Sequence, residues 1–380
     1  MGGLEIGGFH VVLKQEEGYA SAYFYGFRVP ATHLVFGEPT PMISVVIPAH
    51  DAARTLGECL QAIRLSDWAE YEIVVVDDAS TDATALIAAQ YGCEVIRLHK
   101  NIGAARAKNL GVSEARGDVI LFTDADILLQ PDTVRLVAER LRDPAVAGVV
   151  GLLGQSLRYQ DFCSQFKNLW MHYTYKRLAA SPDAERGVGV FYTSIAAVRK
   201  DVFVGLGGFD AHYRGASVTE DIEFGQRLLT AGHVIQLDDR LVVEHLKHYS
   251  LGRLLKTDLL RAFGLMKTWL RKTLEPAQRA AGQRYYASVP LFFVLGVPLA
   301  WLVPLCVVAA FWTARVLWAL LALLSWGLVL LVNVSFLSAL WRARGWWFLL
   351  QCILFLPVDL WVSGLGVLWA VADYARGDRY

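Results

Sequence analysis

Ile43-Ser44-Val45-Val46-Ile47-Pro48-Ala49-His50 decides the fold: a β-branched apolar run ends in a polar turn, and a helical stretch to about Leu65 follows. The same order then repeats. Ile73-Val74-Val75-Val76 precedes a helical stretch over 82–91, a short strand from Val95 to Leu98, a helix over 103–115 and the run Val119-Ile120-Leu121-Phe122. Strands alternating with helices predict βαβ units and a parallel sheet covered on both faces. Such sheets bind ligands beyond the carboxyl ends of their strands. At those ends stand Pro48-Ala49-His50, Asp77-Asp78-Ala79-Ser80 and Thr123-Asp124-Ala125-Asp126, so three strand ends are expected to converge on one ligand site.

Upstream, residues 1–40 hold aromatic and β-branched stretches (Phe9 to Leu13, Tyr19 to Phe27) broken by Gly and Pro, a β-rich extension. Downstream, the composition changes abruptly. From Tyr286 to Ala372 only Arg315, Arg342, Arg344 and Asp359 are charged. Three apolar segments, about 288–311, 316–340 and 346–371, are each long enough to cross a hydrocarbon core of about 30 Å. The zero formal net charge hides a local excess: from Leu246 to Arg284 nine Lys or Arg face only Asp258 and Glu275. Beside a membrane segment that excess points to lipid head groups, not nucleic acid, and places the basic side in the cytosol.

Within it, Leu251, Leu255, Leu259, Ala262, Met266, Trp269 and Leu270 share one side of a helix at about 100° per residue, with Arg253, Lys256, Lys267 and Arg271 opposite. The pattern predicts an interfacial helix lying on anionic lipid. The expected organisation is an extension over 1–40, a catalytic α/β domain over 41–248, an interfacial region over 249–285, a helical membrane domain over 286–372 and a tail over 373–380. Five cysteines without a CxxC pair give no disulfide or zinc framework. No basic region followed by an apolar run opens the chain, so the soluble domain is expected in the cytosol, at an inner or plasma membrane.

Two acids separated by one residue after a strand, Asp124 and Asp126, suit a hard divalent cation, Mg²⁺ or Mn²⁺, whose shell phosphates complete. Further along, Glu220-Asp221-Ile222-Glu223 opens a helix, where the dipole favours negative charge. Trp170, Tyr173 and Tyr175 offer aromatic faces that suit a sugar ring, a lipid tail or plain core packing.

These stretches, SVVIPAHDAARTLGECL, IVVVDDASTD, NIGAARAKNLGVSEARGDVILFTDAD and TEDIEFGQRLLTAG, spanning about 43–232, resemble the glycosyltransferase family two proteins, whose catalytic domain has the Rossmann-like GT-A fold. The resemblance implies an α/β nucleotide-sugar-binding domain, a UDP- or GDP-sugar donor, a divalent metal on its diphosphate and inversion at the anomeric carbon. By position it implies that Asp78 meets the nucleobase, that Pro48 and Ala49 line the base pocket, and that Lys108, where many relatives have Arg, meets the diphosphate. Asp124 and Asp126 match the DxD motif, Asp126 as metal ligand and Asp124 toward metal or sugar. Asp221 takes the place of the catalytic base, with Glu220 supporting it, and His245 that of a further metal ligand. The Gln-x-x-Arg-Trp motif of processive members does not follow Glu223. A single transfer to a membrane lipid or lipid-linked saccharide is therefore expected, with chain extension or a non-catalytic sugar-nucleotide scaffold as alternatives.

Overall fold

In the computed structural model the described residues are 41–179, 189–213, 219–274 and 291–378, with four strands in the first forty. Those strands, β1 (Gly2–Ile6), β2 (Phe9–Glu16), β3 (Tyr19–Phe24) and β4 (Phe27–Pro30), form an antiparallel meander in chain order, a unit of its own.

The second unit, from Pro41, begins with β5 (Ile43–Ala49), α1 (Leu56–Arg64), β6 (Tyr71–Asp77), α2 (Thr84–Gln90), β7 (Glu94–Arg97), α3 (Ala104–Glu114) and β8 (Val119–Phe122). It continues through β9 (Ile127–Leu128), α4 (Thr133–Arg140), β10 (Val146–Leu153), α5 (Phe162–Ala179), β11 (Ala196–Arg199), α6 (Lys200–Gly205), α7 (Glu220–Thr230) and β12 (Val234–His245). These strands make one eight-stranded sheet in the order β7-β6-β5-β8-β11-β10-β12-β9. Continuous burial of Ile43 to Ile47 and of Ile73 to Asp77 explains their unbroken apolar runs, since both faces are covered.

The expectation of a parallel sheet holds for β7, β6, β5 and β8 and again for the pair β10 and β12. β11 runs antiparallel to both β8 and β10, so the sheet is mixed. Its four residues, Ala196-Ala197-Val198-Arg199, are too short a run to announce a strand.

Close helix–sheet approaches are bought with glycine. A Cβ on Gly225, in α7, would stand 2.8 Å from the backbone nitrogen of Phe191. That approach seats the acidic start of α7 against the turn preceding β11. Gly225→Ala is therefore expected to cost about 1–3 kcal/mol through overpacking, read as a lower thermal midpoint; an unchanged midpoint would mean the loop at Val190 yields freely.

Four helices close the chain: α8 (Leu251–Leu274), α9 (Leu291–Thr313), α10 (Val316–Val332) and α11 (Val334–Ala375), the last broken at Gly345, where φ is 80°. Residues 292–313 and 334–375 are long and apolar enough to cross a membrane. The second expected span is shorter than read from the sequence. Its helix stops after 17 residues at Val332, about 25 Å of rise. Buried Asn333 turns its amide back onto the Val329 carbonyl (2.9 Å), and residues 334–344 form a separate arm.

The interfacial helix also differs. In α8 the basic residues expected on the solvent face, Lys267 and Arg271, are buried, while Leu251 and Trp269 are exposed. Lys267 Nζ donates to Asp373 Oδ2 (2.7 Å), and the Phe263 and Trp369 rings lie 4.6 Å apart. α8 thus buries Lys267 against α11, whose carboxylate compensates it, and Arg271 against the Tyr213 hydroxyl, partners that helical periodicity cannot reveal, while Arg253 and Lys256 stay exposed.

Candidate active site

The carboxyl ends of β5 and β8, the start of α7, the end of β12 and one face each of α5 and α8 enclose a cavity of about 490 Å³. Pro48, Lys108, Asp124, Asp126, Glu220, Asp221 and His245 all line it, so most of the residues singled out from widely separated stretches meet in one place. Asp78 and Ala49 are not among the lining residues. Asp78 is buried, and its two carboxylate oxygens accept from Ile102 N (2.7 Å) and Gly103 N (2.9 Å) at the start of α3. It braces the loop before α3.

Pairing of β9 with β12 sets His245 opposite Ile127, and Leu246 N donates to Asp126 O (2.7 Å). This register brings His245 Nε2 to 3.4 Å from Asp126 Oδ2. Burial opposes the Asp126 charge, but His245 and Lys247 outweigh it and hold the carboxyl below the usual range. Asp124 accepts from Ser194 Oγ (2.6 Å). Among the described residues no group of three or more His, Cys, Asp or Glu is arranged to hold a metal alone. An oxygen and a nitrogen donor facing each other still fit a cation whose remaining positions go to phosphate and water.

At the opposite wall the acids of α7 divide their tasks. Glu220 Oε1 takes Lys108 Nζ at 3.1 Å, and Thr193 Oγ1 accepts from the same ammonium at 2.6 Å. Burial disfavours that ammonium, yet Glu220, Asp124 and Asp221 raise its pKa and keep it charged. Lys108 therefore lines the cavity already neutralised. No cation is hydrogen-bonded to Asp221 among the described residues: its Oδ1 accepts from Ile222 N (2.7 Å) and its Oδ2 from Thr193 N at 3.4 Å. Burial, then the neighbouring Glu220 charge, push its carboxyl up to about 7. A carboxyl poised there suits general-base work at neutral pH. Glu223 instead pairs with Arg227 and Lys272 and stays outside the lining.

Sequence reasoning missed several lining residues: Thr193, Ser194, Lys247 and Arg261. Arg261 rests over the Trp170 ring at 5.1 Å and donates to Met171 Sδ (2.9 Å), with no carboxylate ion pair among the described residues. Lys247, two residues past His245, was within reach of a reading along the strand. Arg261 was not, because only the packing of α8 turns it inward.

A mixed α/β sheet of this order, with its acids at the strand ends, defines the GT-A class of fold. A mannosyltransferase from Pyrobaculum calidifontis, solved in complex with GDP-Man and Mn2+, shares that fold with a TM-score of 0.54 over 87% of both chains at 19% identity. Residues 44–206 match the family model Glycosyl transferase family 2. An N-acetylglucosaminyltransferase of Mesorhizobium japonicum is 31% identical over 153 residues, 38% of this chain and 36% of that protein. The succinoglycan biosynthesis protein ExoO of Rhizobium meliloti is 36% identical over 131 residues, 32% of this chain and 37% of that protein. The chain thus spans little more than a third of these curated relatives.

Proposed function

We propose that this chain transfers a single sugar from a nucleotide-diphospho-sugar to a membrane lipid or lipid-linked acceptor, inverting the anomeric carbon, with its catalytic domain on the cytosolic face. The observation that carries the reading is Asp221: a buried carboxyl pushed up to about 7, in one cavity with Asp124, Asp126 and His245. In direct displacement the acceptor hydroxyl attacks C1 of the sugar as Asp221 takes its proton, and the nucleoside diphosphate leaves with the bonding electrons of the C1–O bond. Thr193 N and Ile222 N orient the carboxylate, while Glu220 acts by fixing Lys108 beside it.

On the donor side, Asp126 and His245 would hold a divalent cation, with Asp124 toward the metal or the sugar. Bound there, such a cation supplies Lewis-acid assistance to the departing diphosphate. Arg261 brings to the same cavity a cation with no carboxylate ion pair among the described residues, available to a phosphate. Exposed apolar side chains along α9 and α11, among them Leu302, Leu305, Leu354 and Leu368, support a membrane-embedded acceptor.

UDP-N-acetylglucosamine and GDP-mannose are the donors to assay first, on the names of a relative and a fold neighbour. Transfer of labelled sugar from either into extracted lipid tests the reading; transfer to water alone would remove the lipid acceptor.

Asp221 also fixes the pH profile. A base must be ionised, and its raised pKa keeps it protonated below neutrality, so kcat/KM should fall about tenfold per pH unit below about 7 and level off above. A profile flat through neutrality would take the base role away from Asp221.

A further inference from the structure

On the side of α5 turned away from the catalytic cavity lies a second groove of about 460 Å³, closed by the arm 334–344 that precedes the break at Gly345. Its lining divides by chemistry. Leu169, Ala339, Leu340 and Ala343 supply an apolar floor, whereas Lys176, Arg177 and Arg342 are exposed cations along it. No Asp or Glu is among the lining residues, and none of the three cations forms an ion pair among the described residues. Arg177 is positioned by uncharged partners only, the Tyr173 hydroxyl (3.2 Å) and Ser335 Oγ (3.3 Å).

A cluster of three like charges without a counter-charge repels itself unless an anion joins it. The surroundings favour one source of that anion. The Trp341 and Trp346 rings lie 5.0 Å apart, tilted by 42°, beside the groove, and Trp346 and Trp347 are 70% and 74% exposed. Exposed tryptophans flanking an apolar helix mark the level of the lipid head groups. Basic pockets at that level take lipid phosphates. An apolar floor under a cationic edge is also the complement of an amphiphile, and free phosphate would leave the floor unused.

We infer that the groove between α5 and the arm 334–344 is a binding site for an anionic membrane phospholipid, separate from the catalytic cavity, whose phosphate is held by Lys176, Arg177 and Arg342. It rests on the membrane-embedded reading of the C-terminal helices and is independent of the chemistry at Asp221. Held there, the lipid ties α5, one wall of the catalytic cavity, to the membrane surface.

The test uses the full chain in uncharged detergent, titrated with short-chain phosphatidylglycerol and, in parallel, phosphatidylcholine, with bound lipid read by native mass spectrometry. Phosphatidylglycerol should bind more tightly than phosphatidylcholine, and the Lys176→Gln/Arg177→Gln/Arg342→Gln variant about 100-fold more weakly than wild type, from roughly fivefold per cation near a head group. The charge-preserving Lys176→Arg/Arg177→Lys/Arg342→Lys variant should retain affinity, and each single Gln variant should lose its roughly fivefold share, which keeps the test decisive if the triple Gln variant does not fold. Equal affinity for the two lipids, or a triple Gln variant that binds as wild type, would overturn the site. Full displacement by millimolar inorganic phosphate would reduce it to an anion site and overturn it equally. Asp221→Asn should bind phosphatidylglycerol as wild type does, so failed sugar transfer and failed lipid binding are separate results.

Discussion

Asp221→Asn is expected to lower kcat for sugar transfer by about 10²–10⁴-fold, the range a positioned general base contributes, while donor affinity stays near wild type. Asn keeps the size of the side chain and an oxygen for the shorter contact, with Ile222 N, loses only the long one from Thr193 N, and cannot take the acceptor proton. Nucleoside diphosphate release measured beside calorimetric donor binding separates the two effects. Turnover above a tenth of wild type would move the base elsewhere. Glu220→Gln is the informative contrast. Lys108 and Glu220 are both buried, so neutralising the carboxylate leaves an ammonium without its charge partner, a change that destabilises by about 3–5 kcal/mol when a buried pair is broken. The neighbour should therefore cost folding stability first, and the base catalysis first, although they are adjacent in sequence.

The second large effect concerns the cation. Removing divalent metal from the wild type should reduce transfer at least about 100-fold, since Lewis-acid stabilisation of a leaving group is worth several kcal/mol, and Mn²⁺ should restore it. Asp126→Asn, which weakens the facing pair with His245, should keep the loss even after Mn²⁺ is returned. Full activity after thorough chelation would contradict the assignment of Asp126 and His245, and rescue of Asp126→Asn by ordinary Mn²⁺ would exclude Asp126 as a principal ligand.

Much of the donor half was legible because it obeys local rules. The runs beginning at Ile43, Ile73 and Val119 are strands because their residues are apolar and buried on both faces, and the polar turns after the first and third face one cavity because those strands are parallel neighbours. What the sequence hid was whatever depends on a distant partner. Asp78 stands at a strand end as a ligand would, but the free N–H groups of Ile102 and Gly103, 24 and 25 residues on, claim its oxygens. Lys108 reads as a phosphate cation until Glu220, 112 residues away, is seen beside it. The helix α8 shows the same limit from the other side. Its periodicity is genuine, yet Asp373 and Tyr213 draw Lys267 and Arg271 inward and leave Trp269 outside. A helical wheel reports which residues share a face, and only packing reports what that face meets.

The central claim, inverting transfer of one sugar to lipid through Asp221, is tested most directly by following nucleoside diphosphate and glycosylated lipid together in one reaction with a pure α-linked donor. The account predicts equal molar amounts of the two products, a β-linked sugar on the lipid by NMR, and loss of both in Asp221→Asn. An α-linked product, or diphosphate released with no sugar on lipid, would contradict it.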